Sequence, residues 1–296
     1  MKILIAGGNG FIGSSLRSFY GDRLSIITID YHRNESVQNS YPLDLTSIDQ
    51  VATFVREQGK FDVLIFLVGL AHAKGKGKDL PDFIKINFQT LANLLDIFEL
   101  NGKIPGKIIF ASTISVFGES YKQQYYYEND STDPISPYAR TKLQAEEFLL
   151  NKYADNSWIL RFAPVYSPEF TLNLDRRTQI RGLFYKIGKG NNKLSLCNIN
   201  NIMASIDGII KCSIPPGVYN ISDPSEYTYN DLLKQQGARF TVRIPAILVL
   251  FLYAIGSITN NIFLKENSTK LVTDNIYPSK KISAFVKLTP MIKKNS

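Results

Sequence analysis

KILIAGGNGFIG, running from Lys2 to Gly13, is a short apolar run that passes straight into glycines. Lys2 to Ala6 reads as a strand covered on both faces. Gly7, Gly10 and Gly13 then fall at G-x-x-G-x-x-G spacing, and Phe11, Ile12 and Gly13 open a helix. A strand–turn–helix of this kind suits a dinucleotide pyrophosphate, which needs a tight turn, close backbone approach and amides at a helix N-terminus. Glycine allows the first two because it lacks a Cβ. Asp30 ends the next apolar run, 17 residues beyond Gly13. A carboxylate there accepts hydrogen bonds from ribose hydroxyls and repels a 2′-phosphate, which favours NAD over NADP. Arg33 is the opposing signal, since a guanidinium pairs well with that phosphate. The plain alternatives are an ordinary turn for the glycines and a turn acid for Asp30.

The pattern continues outward. Leu24–Ile29, Val63–Val68, Lys107–Ser112 and Trp158–Phe162 read as further buried strands. Helical stretches lie between them near Phe11–Phe19, Ser47–Glu57, Asp82–Leu100 and Tyr138–Lys152. This alternation predicts an α/β, Rossmann-like, doubly wound parallel sheet over residues 1–162. From 163 to 296 the pattern loosens into a smaller C-terminal lobe, with some segments expected to return to the first domain. It contains a helix-like stretch at Arg176–Lys189, a short strand near Val218–Ile221 and an apolar run at Ile244–Ile258. That run has about 15 residues, short of the roughly 20 that span a bilayer. It is expected to be buried or to face a partner, with an interfacial membrane helix as the sharper alternative.

Composition narrows the chemistry. The 296 residues are 44% hydrophobic and 20% charged, an ordinary globular balance, and the net charge is +8. The cations are scattered, apart from Lys74, Lys76 and Lys78 and a Lys-rich tail, so a solvated surface is expected and no nucleic-acid partner. Cys197 and Cys212 are the two cysteines and His32 and His72 the two histidines. A disulfide framework, a His-based triad and a metal site are not expected, and a cytoplasmic location fits. No signal peptide is read at the N-terminus.

SPYARTK, Ser136 to Lys142, sets a phenol four residues ahead of an ammonium. On a helix the two share a face. A phenol is a poor base near neutral pH, and a nearby positive charge stabilises its phenolate. Such a tyrosine exchanges a proton with a sugar hydroxyl or ketone as hydride moves. Alone, the spacing is also that of a common surface pair. Thr113, at the carboxyl end of the Lys107–Ser112 strand, adds a hydroxyl where open α/β sheets bind ligands.

Here the chain resembles the extended short-chain dehydrogenase/reductases, specifically the nucleotide-sugar epimerase/dehydratase group, over roughly Met1 to Pro290. The carrying motifs fall in order: GGNGFIG, Asp30, LDL with Asp44, FLVGL, Asn87 in INFQTLANLLDIF, ASTISVFG, PYARTK and LRFAPVYSP. The resemblance implies that Asp44 and Leu45 contact the adenine. It implies that Leu67, Val68 and Gly69 line the cofactor cleft, with Asn87 beside them. Thr113, Tyr138 and Lys142 would form the catalytic set, the last two also meeting the cofactor, and Val165 and Tyr166 would lie by the nicotinamide. The later lobe would bind a nucleotide-diphosphate sugar, UDP-linked, and a homodimer would form through the helices carrying Asn87 and Tyr138.

Departures limit the choice of reaction. Ile114 and Ser115 follow Thr113, where 4,6-dehydratases of this group carry Asp-Glu, so water elimination is not expected. Pro164 and Ser167 replace residues usual in UDP-galactose 4-epimerases, and the chain stops soon after Pro290. The expected function is NAD-dependent hydride transfer at sugar C4 by a UDP-hexose or UDP-N-acetylhexosamine 4-epimerase of surface-polysaccharide synthesis. A 4-keto reductase of a nucleotide sugar is the alternative, and a non-catalytic dinucleotide-binding protein is a distant third. No membrane association is expected.

Overall fold

The computed structural model describes residues 1–71, 79–118 and 123–292. His72, the Lys74, Lys76 and Lys78 cluster, and Lys293 and Lys294 of the tail lie outside the described residues. In chain order the first elements are β1 Lys2–Ala6, α1 Phe11–Tyr20, β2 Ser25–Asp30, β3 Ser40–Pro42, α2 Ile48–Gln58 and β4 Val63–Phe66. Next come α3 Leu80–Ile84, a π-helical turn at Lys85–Gln89, α4 Thr90–Leu100, β5 Lys107–Thr113, α5 Pro137–Lys152 and β6 Ser157–Phe162. The remainder comprises β7 Val165–Tyr166, α6 Leu172–Thr178, β8 Gln179–Ile180, β9 Leu183–Ile187, β10 Lys193–Leu194 and β11 Cys197–Asn198. It continues with α7 Ile199–Ile210, β12 Gly217–Ile221, β13 Tyr227–Thr228, α8 Tyr229–Gln235, β14 Val242–Ile244, α9 Ala246–Ile258 and α10 Ile262–Val272.

Seven strands form one parallel sheet in the order β12-β6-β5-β4-β1-β2-β3. The order reverses between β1 and β4, so the loops after those strands open a crevice at their carboxyl ends. The strands read as unbroken apolar runs because both sheet faces are covered, and Ile3, Leu4, Ile5 and Ala6 are fully buried. Phe54 of α2 and Phe98 of α4 share one buried cluster with Phe61 and with Phe110 of β5. Local signals set the ends: Gly59, at φ 74°, closes α2, and an Asp79–Asp82 capping box starts α3.

Contacts divide the chain into two compact units. The first is Met1–Thr113, Pro137–Arg161 and Ile206–Val218; the second is Ile114–Ser136, Phe162–Ser205 and Tyr219–Ser296. Segment 114–136 therefore groups with the second unit, on the other side of a boundary drawn at residue 162.

One expectation for the second unit changes. Arg176–Lys189 is not a helix. It is the end of α6 followed by the β8–β9 hairpin, to which β14 adds in parallel. Ile180, Leu183, Phe184 and Ile187 do sit at helical spacing, but Arg181 and Gly182 take φ of 50° and 81° and turn the chain back. A left-handed pair of this kind ends a helix and makes a hairpin. The apolar run, expected to be buried or to face a partner, forms a helix, α9, in which only Val249 and Gly256 are buried. Among the described residues, no helix is long and apolar enough to cross a membrane.

Candidate active site

The turn after β1 is built from its glycines and from the strand beside it. Gly7 has φ 85°, and a Cβ there would stand 3.1 Å from the Leu67 carbonyl carbon and the Val68 nitrogen. A Cβ on Gly13 would stand 2.7 and 2.8 Å from the Gly8 and Gly7 carbonyl oxygens, so only glycine lets α1 start this close to its own loop. The Asn9 amide donates to Asp30 Oδ2 at 3.0 Å, and the Asn9 side chain donates to the His32 carbonyl at 2.8 Å. The Arg17 guanidinium reaches back from α1 to the Gly8 carbonyl. Neither Asn9 nor Arg17 was singled out from sequence; both signals are single polar residues whose partners lie in another turn.

This loop fits an external anion. Gly10 is the N-cap of α1, no side chain caps that terminus, and its first turn holds no acid. The first amides of a helix have no intrahelical acceptor and attract negative charge. Phe11 and Ile12 stand half-buried there. Asp30 sits at the carboxyl end of β2, where the Tyr31 amide also donates to it at 2.9 Å. Arg33 lies 3.6 Å from Glu35, with both side chains exposed, so a carboxylate already faces its charge.

Asp44 forms a local turn, accepting from the Thr46 amide and hydroxyl, each at 2.8 Å. The Leu45 side chain is core, while its carbonyl accepts from buried Asn93 at 3.0 Å. Leu67, Val68 and Gly69 follow β4 with partial exposure at the sheet's carboxyl edge. Fully buried Asn87 sits in the π-helical turn. It accepts from the Leu70 amide at 2.6 Å and donates to the Leu70 carbonyl at 3.3 Å and Thr141 Oγ1 at 3.0 Å. One side chain thus ties the loop after β4 to the first turn of α5. π-turns recur at functional sites because they re-aim a residue within a helix.

α5 and β5 bring Thr113, Tyr138 and Lys142 into the same unit. The Thr113 hydroxyl is hydrogen-bonded to the Tyr138 phenol. Burial pushes that phenol up to about 12, and the bond to Thr113 pulls it partly back. Lys142 is buried; its Nζ donates to the Val68 and Ala111 carbonyls at 3.1 and 2.9 Å and lies 4.6 Å from the Phe110 ring centre. A Cβ on Gly69 would stand 3.3 Å from that Nζ, so the lysine borders the loop after β4 directly. Burial lowers the ammonium to about 7, and the Glu146 carboxylate opposes the fall.

Glu146, one helical turn beyond Lys142, was missed from sequence. It is fully buried and paired with Arg161 of β6, Oε2 to Nη2 at 2.7 Å, and it also accepts from Ser112. The spacing Tyr-x₃-Lys-x₃-Glu was visible, but the partners come from two strands. Val165 is in the second unit, where β7 pairs with β11. Its neighbour Tyr166 donates to buried Asp223 at 2.6 Å, an acceptor shared with Tyr227, Asn198 and Asn201. That network satisfies a buried carboxylate and so occupies the Tyr166 hydroxyl.

A family model described as the NAD dependent epimerase/dehydratase family matches residues 3–207. The chain is 25% identical over 260 residues, 83% of its own length and 74% of the relative's, to the N-acetyl-alpha-D-glucosaminyl-diphospho-ditrans,octacis-undecaprenol 4-epimerase of Escherichia coli. It is 30% identical over 190 residues to an uncharacterized UDP-glucose epimerase of Bacillus subtilis, covering 57% of this chain and 58% of that one. Among solved structures, the UDP-glucuronic acid 4-epimerase of Bacillus cereus in complex with NAD aligns with TM-score 0.72 at 19% identity, over 99% of this chain and 94% of that one.

Proposed function

The chain belongs to the NAD dependent epimerase/dehydratase family, and from that premise we propose that it is a 4-epimerase of a nucleotide-diphosphate sugar, UDP-linked, with NAD as resident cofactor. The observation that carries this reading is the Thr113–Tyr138 hydrogen bond beside a buried Lys142, in the unit that also holds the uncapped glycine turn.

The chain's residues have distinct tasks. The amides around Gly10 to Gly13 would hold the pyrophosphate, and Asp30 the adenosine ribose. Lys142, fixed by two backbone carbonyls, would hold the nicotinamide ribose and add positive charge beside Tyr138. Bound NAD supplies the acceptor and later the donor of one hydride at C4. Tyr138 would take the proton of the C4 hydroxyl and later return it to the same oxygen. Thr113 orients the same oxygen. In the free protein the phenol is protonated, so it is ready as the acid; acting as the base needs the added positive charge of the oxidised cofactor. Ile114 and Ser115 give neither acid nor base for water elimination, which argues against a dehydratase. A homodimer through the helices carrying Asn87 and Tyr138 belongs to the same reading and is tested by light scattering.

A second substrate reading is favoured by one observation. α9 leaves large apolar side chains exposed, and the Escherichia coli relative is named for a lipid-linked diphospho-sugar. On this reading the diphosphate on the sugar carries a polyprenyl chain in place of a nucleoside.

The test is cofactor retention with turnover. An epimerase keeps its cofactor, because the hydride taken is the hydride returned. Purified protein is expected to carry NAD and to interconvert C4 epimers of UDP-hexoses or UDP-N-acetylhexosamines with no net NADH signal. Stoichiometric NADH loss with a 4-keto sugar, and no epimer formed, would establish the reductase instead.

A further inference from the structure

We propose that α9 and the small sheet beneath it form a docking surface for an anionic lipid bilayer. The proposal does not rest on the identity of the sugar.

α9 is held from one side only. Val249 packs on Tyr185 and Ile187 of β9, and Gly256 lies against α10, where a Cβ would meet the Leu264 Cβ at 2.9 Å. Ala246, Tyr253 and Ile255 are half-buried, and much of the rest is exposed. Ile247, Leu248, Leu250, Phe251, Leu252 and Ile258 are exposed, Ile247 at 68%, Phe251 at 65% and Ile258 at 84%. At about 100° per residue these six cover an arc of roughly 200°, with no charged side chain in it. A rigid partner meets one stripe of a helix, as a bundle neighbour does. Hydrocarbon wraps whatever is offered, so an arc this wide suits acyl chains better than a protein face.

The apolar surface does not end with the helix. Phe240 (75% exposed) and Val242 lead into α9 along β14, and Ile180 and Leu183 flank the hairpin turn of β8–β9. β14 pairs in parallel with β9, Val242 opposite Tyr185, which sets Phe240 toward the same end of the sheet as Leu183. An apolar surface of this extent, rimmed by charge, marks an interaction site.

The segments flanking α9 are rich in cations. From Arg176 to Lys193 the chain carries Arg176, Arg177, Arg181, Lys186, Lys189 and Lys193 and no Asp or Glu. From Lys234 to Lys265 it carries Lys234, Arg239, Arg243 and Lys265, again with no acid. Arg181, Arg239 and Arg243 are exposed. A neutral soluble partner gives the exposed Arg181, Arg239 and Arg243 no counter-charge, whereas phosphate headgroups would meet them. At about 20 Å, the thirteen-residue helix is shorter than a hydrocarbon core of about 30 Å, so it lies in the interface and does not span it. An apolar insertion combined with basic residues provides the two signals that stable peripheral binding requires.

Vesicle flotation of the full chain tests this, with phosphatidylglycerol/phosphatidylcholine vesicles against phosphatidylcholine alone. The wild type is expected to float with the anionic vesicles, and more weakly with neutral ones or in high salt. Leu248→Glu/Phe251→Glu is expected to weaken binding at least about tenfold, and Arg239→Gln/Arg243→Gln several-fold. Both double variants alter exposed positions, and their NAD content and circular dichroism are expected to match wild type, which separates loss of docking from loss of fold or of the proposed activity. Three results would each overturn the proposal: no flotation of the wild type, flotation indifferent to the α9 variant, or a dimer that this variant splits while vesicles capture nothing. The last identifies a second copy of the chain as the true occupant.

Discussion

Burial draws the Lys142 ammonium down to about 7 while Glu146 resists the fall, so this one residue is expected to make the site sensitive to pH. Below about 7 folded and unfolded chains both hold the proton, and folding buries a charge. Between about 7 and 10.5 only the unfolded chain keeps it, so this group makes the protein more stable as pH rises through that window, by a few kcal/mol in all. NAD affinity is expected to move the opposite way, falling as the ammonium that holds the ribose is lost above about 7. Titration calorimetry across that range checks it, and Lys142→Met is expected to flatten the dependence. Glu146→Gln leaves the buried Arg161 guanidinium without its carboxylate and is expected to cost about 3–5 kcal/mol, read by urea unfolding. Tyr138→Phe is expected to remove nearly all turnover while NAD binding persists; turnover near wild type would sink its role. At this scale the spacing of Tyr138 and Lys142 was legible because one helix sets it. Glu146 was not, because its meaning comes from Arg161 and Ser112 on separate strands.

Elements position these side chains through the turns between them. Gly13→Ala would press a Cβ against two backbone oxygens that cannot step aside, and it is expected to weaken NAD binding by more than about tenfold. Asn87→Ala would orphan the Leu70 amide and carbonyl, at a cost of about 1–3 kcal/mol in thermal unfolding, and loosen the loop that borders Lys142. Apart from the short edge strand β3, which was not read, strands and helices of the first half were readable to within one or two residues, since two-sided burial leaves unbroken apolar runs. The π-turn inside the expected helix at Asp82–Leu100 was not, because it differs by one hydrogen-bond step and no residue type announces it. The β8–β9 hairpin was misread because its apolar residues happen to match the helical period while Arg181 and Gly182 decide the turn.

For the whole molecule, a ligand that binds only the folded state raises its stability. NAD at 100 times its dissociation constant is expected to add about 2.7 kcal/mol, a rise in Tm of roughly 5–10 °C by scanning fluorimetry. A chain that shows no rise and carries no nucleotide would overturn the cofactor reading. The doubly wound sheet was legible from alternation alone, and a return of later segments to the first domain was expected, but which segments return was not legible, since it depends on which distant segments meet. β12 is the instance: it begins at Gly217, yet it seals the edge of a sheet whose previous strand, β6, ends at Phe162. On the ribosome, at about 5–20 residues per second, β6 therefore waits roughly 3–11 s with an unpaired edge before its neighbour has even been made. During that interval the nascent chain displays a ready template for wrong pairing, so this protein is one whose yield in a cell is expected to depend on a chaperone holding that edge until synthesis catches up.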